Sequence, residues 1–231
     1  MRDSREAAQI CYLPGSPVSF PAEPAMTDRI VAAFDFDGTI TTSDSFRHFV
    51  QQAVGMRRFA WAGLRALPWI VAMKAGWISR GAAKARFAWF AFGPIGEREL
   101  DALATRFVAT ELPSLVRPEM LARVREHQAR GHVVVLVSAS PSIYLEKWAA
   151  PLGFEAVLAT RLRFEHGVFT GRFDGENCWG PQKVARLNAW WGLQPPATLY
   201  AYGDSRGDKE MAERADRAWI RGKGPMAAID V

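Results

Sequence analysis

Hydrophobic and polar positions change period repeatedly along this chain, and each change marks an element. Residues 30–34, Ile-Val-Ala-Ala-Phe, are a short apolar run closed by Asp35, which predicts a buried strand whose end delivers carboxylates into a loop. Residues 133–137 are apolar without a break, as suits a strand buried on both faces of a parallel sheet, and Ser138 is expected to end it. Further strands are predicted over 156–159, 198–202 and 218–220, and a hairpin over 162–173 that turns at Glu165-His166-Gly167. Helical spacing is found over 118–130, opened by Pro118 and stopped by Gly131, and again over 143–150, 182–191 and 209–215. Residues 45–108 are helical in pattern, with interruptions at Gly55, Pro68, Gly76, Gly81 and 93–96, so three or four helices are expected there.

Strands alternating with helices predict an α/β fold: a Rossmann-like, mostly parallel sheet flanked by helices, with functional loops at the carboxyl ends of the strands. The helical block follows the first strand directly and reads as an inserted cap. The expected division is a tail over 1–27, a core over 28–43 and 112–231, and a helical cap over 44–111.

With 231 residues, 49% of them hydrophobic and 23% charged, the chain can bury one large core plus an inserted subdomain. Cys11 and Cys178 have no disulfide-like spacing, which favours a reducing, cytoplasmic setting. Residues 1–26 carry four prolines and no apolar run of signal-peptide length; they are either a disordered tail or lie upstream of a start at Met26. No apolar stretch of about 20 residues suggests a transmembrane helix.

The formal net charge of +5 says little, but its distribution says more. Between Asp44 and Glu97 there is no acidic residue, while eight Lys or Arg and four Trp fall in that segment. Two readings stand side by side. Such a segment would be drawn to the anionic headgroups of a membrane surface, with indoles at the interface. Alternatively, the tryptophans pack the cap's own core and the cations are its solvated face.

The candidate chemistry lies at strand ends. Asp35-Phe36-Asp37-Gly38-Thr39 presents two carboxylates at i and i+2, which repel unless a cation lies between them, and a glycine that lets backbone N–H groups approach an anion. A hard divalent ion that prefers oxygen ligands fits, and magnesium is the expected cofactor. A plain Asp-Gly turn is the alternative. Gly203-Asp204-Ser205-Arg206-Gly207-Asp208 repeats the arrangement after another apolar strand, where Asp204 could also merely cap a helix. Ser138 ends a third strand and Lys183 begins a late helix; a hydroxyl and an ammonium are what phosphoryl transfer asks of a protein. The four histidines show no zinc-ligand spacing with either cysteine, and no Gly-rich nucleotide loop is present.

The ordered set Asp-x-Asp-Gly-Thr, strand-Ser, Lys and Gly-Asp-Ser-x-x-Asp resembles the four motifs of the haloacid dehalogenase superfamily over about residues 30–220. Asp37 implies its phosphatase branch, and the helices after the first motif resemble the type IB cap. The resemblance implies that Asp35 is nucleophile and metal ligand and that Asp37 protonates the leaving oxygen, then activates water. Asp37 is further expected to give magnesium its backbone carbonyl and Asp204 its side chain, with Asp208 orienting that shell from behind. Ser138, Ala139, Gly38 and Lys183 would hold the phosphoryl oxygens.

Phosphoserine phosphatases usually show Ser in place of Gly38 and a Ser-Gly-Gly run where this chain has Ser138-Ala139-Ser140-Pro141, and their amino-acid-recognising glutamate would align near Asp44. The sequence is more similar to the phosphatidylglycerophosphatase C type. The expected substrate is therefore a membrane-lipid phosphate, with peripheral contact to an anionic membrane. A soluble phosphorylated metabolite such as phosphoserine is the alternative. An anion- or nucleic-acid-binding module is disfavoured, since it has no need of clustered, mutually repelling acids; neither a nucleic-acid partner nor an obligate protein partner is expected.

Overall fold

The computed structural model describes residues 29–226 with 228 and 229, so the expectations for the tail and for Cys11 lie outside the described residues. Six strands form one sheet in the order β4-β3-β2-β1-β5-β6, with β1 Ile30–Phe34, β2 Val133–Pro141, β3 Ala156–Glu165, β4 Val168–Asp174, β5 Thr198–Gly203 and β6 Arg217–Ile220. Every neighbouring pair is parallel except the β3–β4 hairpin. The expected Rossmann-like α/β fold is present.

The unbroken apolar runs of β1 and β2 are explained by helices on both sides of the sheet. Val31 and Ala33 point to one face, where they meet Leu187 and Trp191. Ala32 and Phe34 point to the other, into the larger core that includes Tyr144, Leu145 and Trp148. A strand with period-2 side chains and apolar packing on each face has no position left for a polar residue. The helices that cover these faces are α5 Pro118–Ala129, α6 Ser142–Ala149, α7 Pro181–Trp191 and α8 Lys209–Arg214.

Between β1 and α5 lie α1 Ser45–Lys74, α2 Arg80–Phe92, α3 Glu97–Thr110 and the single turn α4 Leu112–Leu115. α1 passes through two of the expected interruptions. At Gly55 the backbone kinks (φ 79°, ψ 159°) but pairing resumes, and Pro68 stands on the exposed side of the helix. The true breaks are at 75–79 and at 93–96, and Gly81 lies inside the first turn of α2. Before the kink, α1 buries Phe46, Phe49 and Val50; beyond it, Ala62 and Ala66 pack closely beneath α2. α3 leans on α6, with Phe107 edge-on to Tyr144 and Asp101 paired with Lys147 at 2.8 Å.

Two strand expectations are corrected. β2 does not end at Ser138 but continues to Pro141, because β3 follows it: Ser138 pairs with Ala159 and, after a register shift, Pro141 with Thr160. The short strand expected over 156–159 and the first arm of the hairpin are one continuous strand, turning at His166 with φ 51°.

Candidate active site

Register brings the motifs together. Phe34 is level with Leu136 on β2 and with Tyr202 on β5, so the residues that follow these strands emerge side by side at the carboxyl edge of the sheet. The Asp35 amide donates to the Tyr202 carbonyl at 2.8 Å, carrying the β1–β5 ladder one step beyond the strand.

Asp35 is buried, with one carboxylate oxygen on the Lys183 ammonium and the other accepting from the Thr39 hydroxyl at 3.1 Å. Lys183, also buried, reaches from the first turn of α7 and bonds the Asp208 carboxylate at 2.6 Å as well. Burial alone would lower the lysine, but Asp35 and Asp208 outweigh it and hold Lys183 charged, above its ordinary value. Burial pushes Asp35 up to about 7, although Lys183 pulls the other way. Asp208 stays below the usual carboxylate range, since Lys183 and hydrogen bonds outweigh its burial. Its second oxygen accepts from the Asp204 and Ser205 amides at 3.2 and 3.1 Å and from the Ser205 hydroxyl at 3.1 Å.

Asp37 is turned differently. One oxygen accepts from the Ser45 amide at 2.7 Å and the other from the Ser140 hydroxyl. Burial raises its pKa, as does Asp44, while Lys84 lowers it. The repulsion expected between Asp35 and Asp37 is thus met by separate partners: an ammonium for the first, a helix-start amide and a hydroxyl for the second. Burial raises both carboxyls, and what distinguishes them is their partners: an ammonium holds Asp35 as a nucleophile would need, and hydrogen-bond donors hold Asp37 as an acid–base group would need.

The other expected residues fall as follows. Ser138 is buried and its hydroxyl accepts from the Ser140 amide at 3.0 Å. Ala139 lines the cavity, and its carbonyl accepts from Lys84 at 2.9 Å. Gly38 lies against Asp204 so closely that a Cβ there would sit 2.1 Å from the carboxylate.

Asp35, Asp204 and Asp208 each offer a carboxylate oxygen, and these lie within 4.8 Å of one another. Asp37's carboxylate is outside this group. A donor set of carboxylate oxygens, without sulfur or imidazole, suits a hard dication such as magnesium. The close approach at Gly38 leaves the Asp204 carboxylate room there that any other residue would fill. With Asp208 already engaged by Lys183 and three further donors, Asp35 and Asp204 have the most coordination capacity left.

A cavity of about 450 Å³ opens above these acids. Its floor includes Asp35, Asp37, Lys183 and Asp208, and its roof is the cap: Phe59, Ile70 and Met73 from α1, Lys84 and Phe87 from α2. Sequence reasoning had not assigned Thr39, Ser45, Ser140, Tyr144 or Lys84 to the site. Thr39 and Ser140 sit within motifs already singled out, so a search for hydroxyls one or two residues along would have found them. Ser45 and Tyr144 are 99 residues apart and meet at 2.9 Å only because α1 and α6 pack together. Lys84 had appeared only as one of the cap's cations. Its ammonium lies 4.6 Å over the Phe46 ring, and burial lowers its pKa against the pull of Asp44 and Asp37.

Comparison with known proteins identifies relatives of the chain and of its fold. Residues 32–213 match the family model of haloacid dehalogenase-like hydrolases. Protein CicA of Caulobacter vibrioides is 36% identical over 197 residues, covering 84% of this chain and 86% of CicA. A solved protein of unknown function from Bordetella pertussis Tohama I superposes with a TM-score of 0.71 at 26% identity, over 83% of this chain and 89% of that one. A phosphoserine phosphatase captured as a phospho-aspartyl intermediate analogue shares the fold at a TM-score of 0.58 and 18% identity, over 83% of this chain and 85% of that one. With its four motifs gathered at the carboxyl edge of the sheet, three of them on β1, β2 and β5 and Lys183 at the start of α7, and a family match over most of its length, the chain belongs to the haloacid dehalogenase-like hydrolases.

Proposed function

We propose that this hydrolase is a magnesium-dependent phosphomonoesterase whose substrate is a phosphate monoester with an apolar tail, a membrane-lipid phosphate such as phosphatidylglycerophosphate. The observation that carries the substrate class is the cavity itself: an acid and lysine floor beneath a roof in which the apolar Phe59, Ile70, Met73 and Phe87 stand with the cations Arg47, Arg80 and Lys84. A volume of about 450 Å³ is far more than a phosphorylated amino acid fills and lies in the range of pockets that enclose larger ligands. Asp44, where an amino-acid substrate would look for a carboxylate, spends one oxygen capping α1 through the Arg47 amide at 3.0 Å.

In this reading the Asp35 carboxylate attacks phosphorus and the bond to the leaving oxygen breaks as Asp37 delivers its proton. Asp37 then takes a proton from water, which attacks the aspartyl-phosphate and releases inorganic phosphate. Thr39 and Lys183 hold the Asp35 carboxylate in place, and Ser45 and Ser140 fix Asp37. Asp35 and Asp204, supported by Asp208, would hold magnesium, which supplies positive charge to the phosphoryl oxygens when bound. Ser138 and the backbone of Ala139 and Gly38 would hold the phosphoryl oxygens. Among the described residues no helix is long and apolar enough to cross a membrane, and in this reading the lipid substrate is met at an anionic membrane surface.

The test is phosphate release by purified protein with magnesium, comparing short-chain phosphatidylglycerophosphate, phosphoserine and a small aryl phosphate. Preference for the lipid phosphate is the expected result. Preference for phosphoserine would transfer the same chemistry to a soluble substrate, and no release from any monoester would refute the reaction.

A further inference from the structure

The cap has an outer surface as unusual as its inner one. On the second half of α1, Met56, Leu64, Leu67 and Val71 follow one another at helical spacing along the side turned away from α2, and Trp61 flanks them. Leu64 is 66% exposed and Val71 61%. Just past the helix end, Trp77 is 80% exposed. Most exposed large apolar side chains of the described residues thus gather on one helix and its tip. The usual reading, that tryptophans serve the cap's core, holds for Trp89, which packs against Phe169, and for Trp69, edge-on to Phe90; Trp61 touches the same Phe90 ring but is half exposed, and Trp77 is almost wholly exposed.

Charge narrows the choice of what covers this face. Arg57 and Lys74 are exposed at its two ends, and Arg65 lies at its margin with its guanidinium 5.0 Å over the Trp61 ring. Residues 45–96 contain no carboxylate. An apolar stripe bordered by cations with no acid on the same element complements an anionic lipid surface, where indoles and long cationic side chains settle at the headgroups. A second copy of the chain would bring the same cations against one another.

The stripe is also continuous with the cavity. Leu67 and Val71 face outward from the turns whose Ile70 and Met73 form the cavity roof, and Arg80, just beyond Trp77, lines the same cavity. We propose that the outer face of α1, with Trp77 at its tip, is a docking surface for anionic phospholipid bilayers, set so that the roof of the active-site cavity continues into the membrane interface. This deepens the lipid-phosphate reading and rests on it for its purpose, but docking can be measured without turnover.

Sedimentation with vesicles of phosphatidylcholine plus phosphatidylglycerol, against phosphatidylcholine alone, tests it on the full chain. Wild type and the inactive Asp35→Asn variant should both bind the anionic vesicles, and binding should fall as salt rises. The exposed triple change Leu64→Gln, Leu67→Gln, Val71→Gln should weaken binding by at least about tenfold. Arg57→Gln with Lys74→Gln should weaken it by about fivefold per cation removed. Both variants should turn over a small aryl phosphate at the wild-type rate, which also shows that they fold.

Absence of binding by wild type, or binding unchanged in the triple variant, would overturn the docking surface. A dimer in solution that the triple variant converts to monomer would assign the face to a second copy instead. Protein that hydrolyses dispersed short-chain lipid phosphate without sedimenting would sink docking and spare the substrate reading. Protein that sediments but prefers phosphoserine would do the opposite.

Discussion

The two sides of the cavity hold their charges in opposite ways. On the core side, Asp35, Lys183 and Asp208 are buried and bonded to one another, and each sits at a strand end or helix start that backbone pairing positions. On the cap side, Lys84 stretches across to a core carbonyl, and Arg47 and Arg80 share the lining with the aromatic and aliphatic side chains of Phe59, Ile70, Met73 and Phe87. The core side is organised before any substrate arrives, which electrostatic catalysis needs. The cap side offers shape and apolar area, which select among substrates. Substitutions should therefore fall into two groups, with core changes acting on every substrate alike and cap changes acting on some.

The largest effect should come from Asp35→Asn, expected to lower kcat by at least about 10⁴-fold for every ester. Folded protein with substantial residual turnover would remove Asp35 from its role. Lys183→Met should be nearly as severe and should also cost stability, about 3–5 kcal/mol, because it leaves two buried carboxylates without their cation. Denaturant unfolding checks this, and a stable variant would mean that the carboxylates had found protons or another partner.

Gly38→Ala places a methyl group against the Asp204 carboxylate, so the magnesium concentration needed for half-maximal activity should rise about 10- to 100-fold. An unchanged magnesium titration would show that Asp204 takes no part in binding the ion. Phe87→Ala, on the cap side, should reduce kcat/KM for a lipid phosphate by about tenfold and spare a small aryl phosphate. Equal losses for both would make the roof mere cap packing and erase the contrast between the two sides.

The smallest effect concerns the core beside β1 and β5, where His127 packs on Phe34 and Tyr202. His127 is buried between the Tyr202 hydroxyl at 2.8 Å and His132 at 2.9 Å, and burial, then His132, lowers its pKa to about 3 from an ordinary 6.5. Between those values the unfolded chain binds a proton that the folded one refuses. Its share of stability is therefore complete above about pH 6.5 and is lost as pH falls toward 3. The melting temperature should decline over that window, and less steeply in His127→Gln; equal slopes would assign the acid sensitivity to other groups.

Much of this was legible in the amino-acid sequence because it is local. Apolar runs such as 133–137 announce strands buried on both faces, and a strand that ends in Asp-x-Asp-Gly announces its chemistry. What was not legible depends on contacts across long separations. The extension of β2 beyond Ser138 exists because β3 lies alongside it, and nothing in Ser-Ala-Ser-Pro says so. Gly55 and Pro68 looked like helix ends, yet packing of Ala62 and Ala66 beneath α2 carries α1 through both. The Ser140 and Ser45 bonds that turn Asp37 away from Asp35, and the arrival of Lys84 from the cap, arise from three segments that meet only in the folded chain.

The kink at Gly55 has a counterpart. At the other end of the α1–α2 hairpin, Gly93 closes α2 with φ 65° and ψ −153°, in the same corner of backbone space that is essentially reserved for glycine. Around Gly55 no neighbouring atom lies within 4 Å of where a side chain would begin, so it is the local backbone conformation and not a crowded neighbour that reserves the position for glycine. A saturation scan of the cap should therefore show a helix surface that accepts most replacements, with two intolerant positions where the hairpin joins the rest of the chain. Descendants of this gene can rewrite the roof of the cavity freely, and with it the choice of substrate, as long as those two joints are left alone.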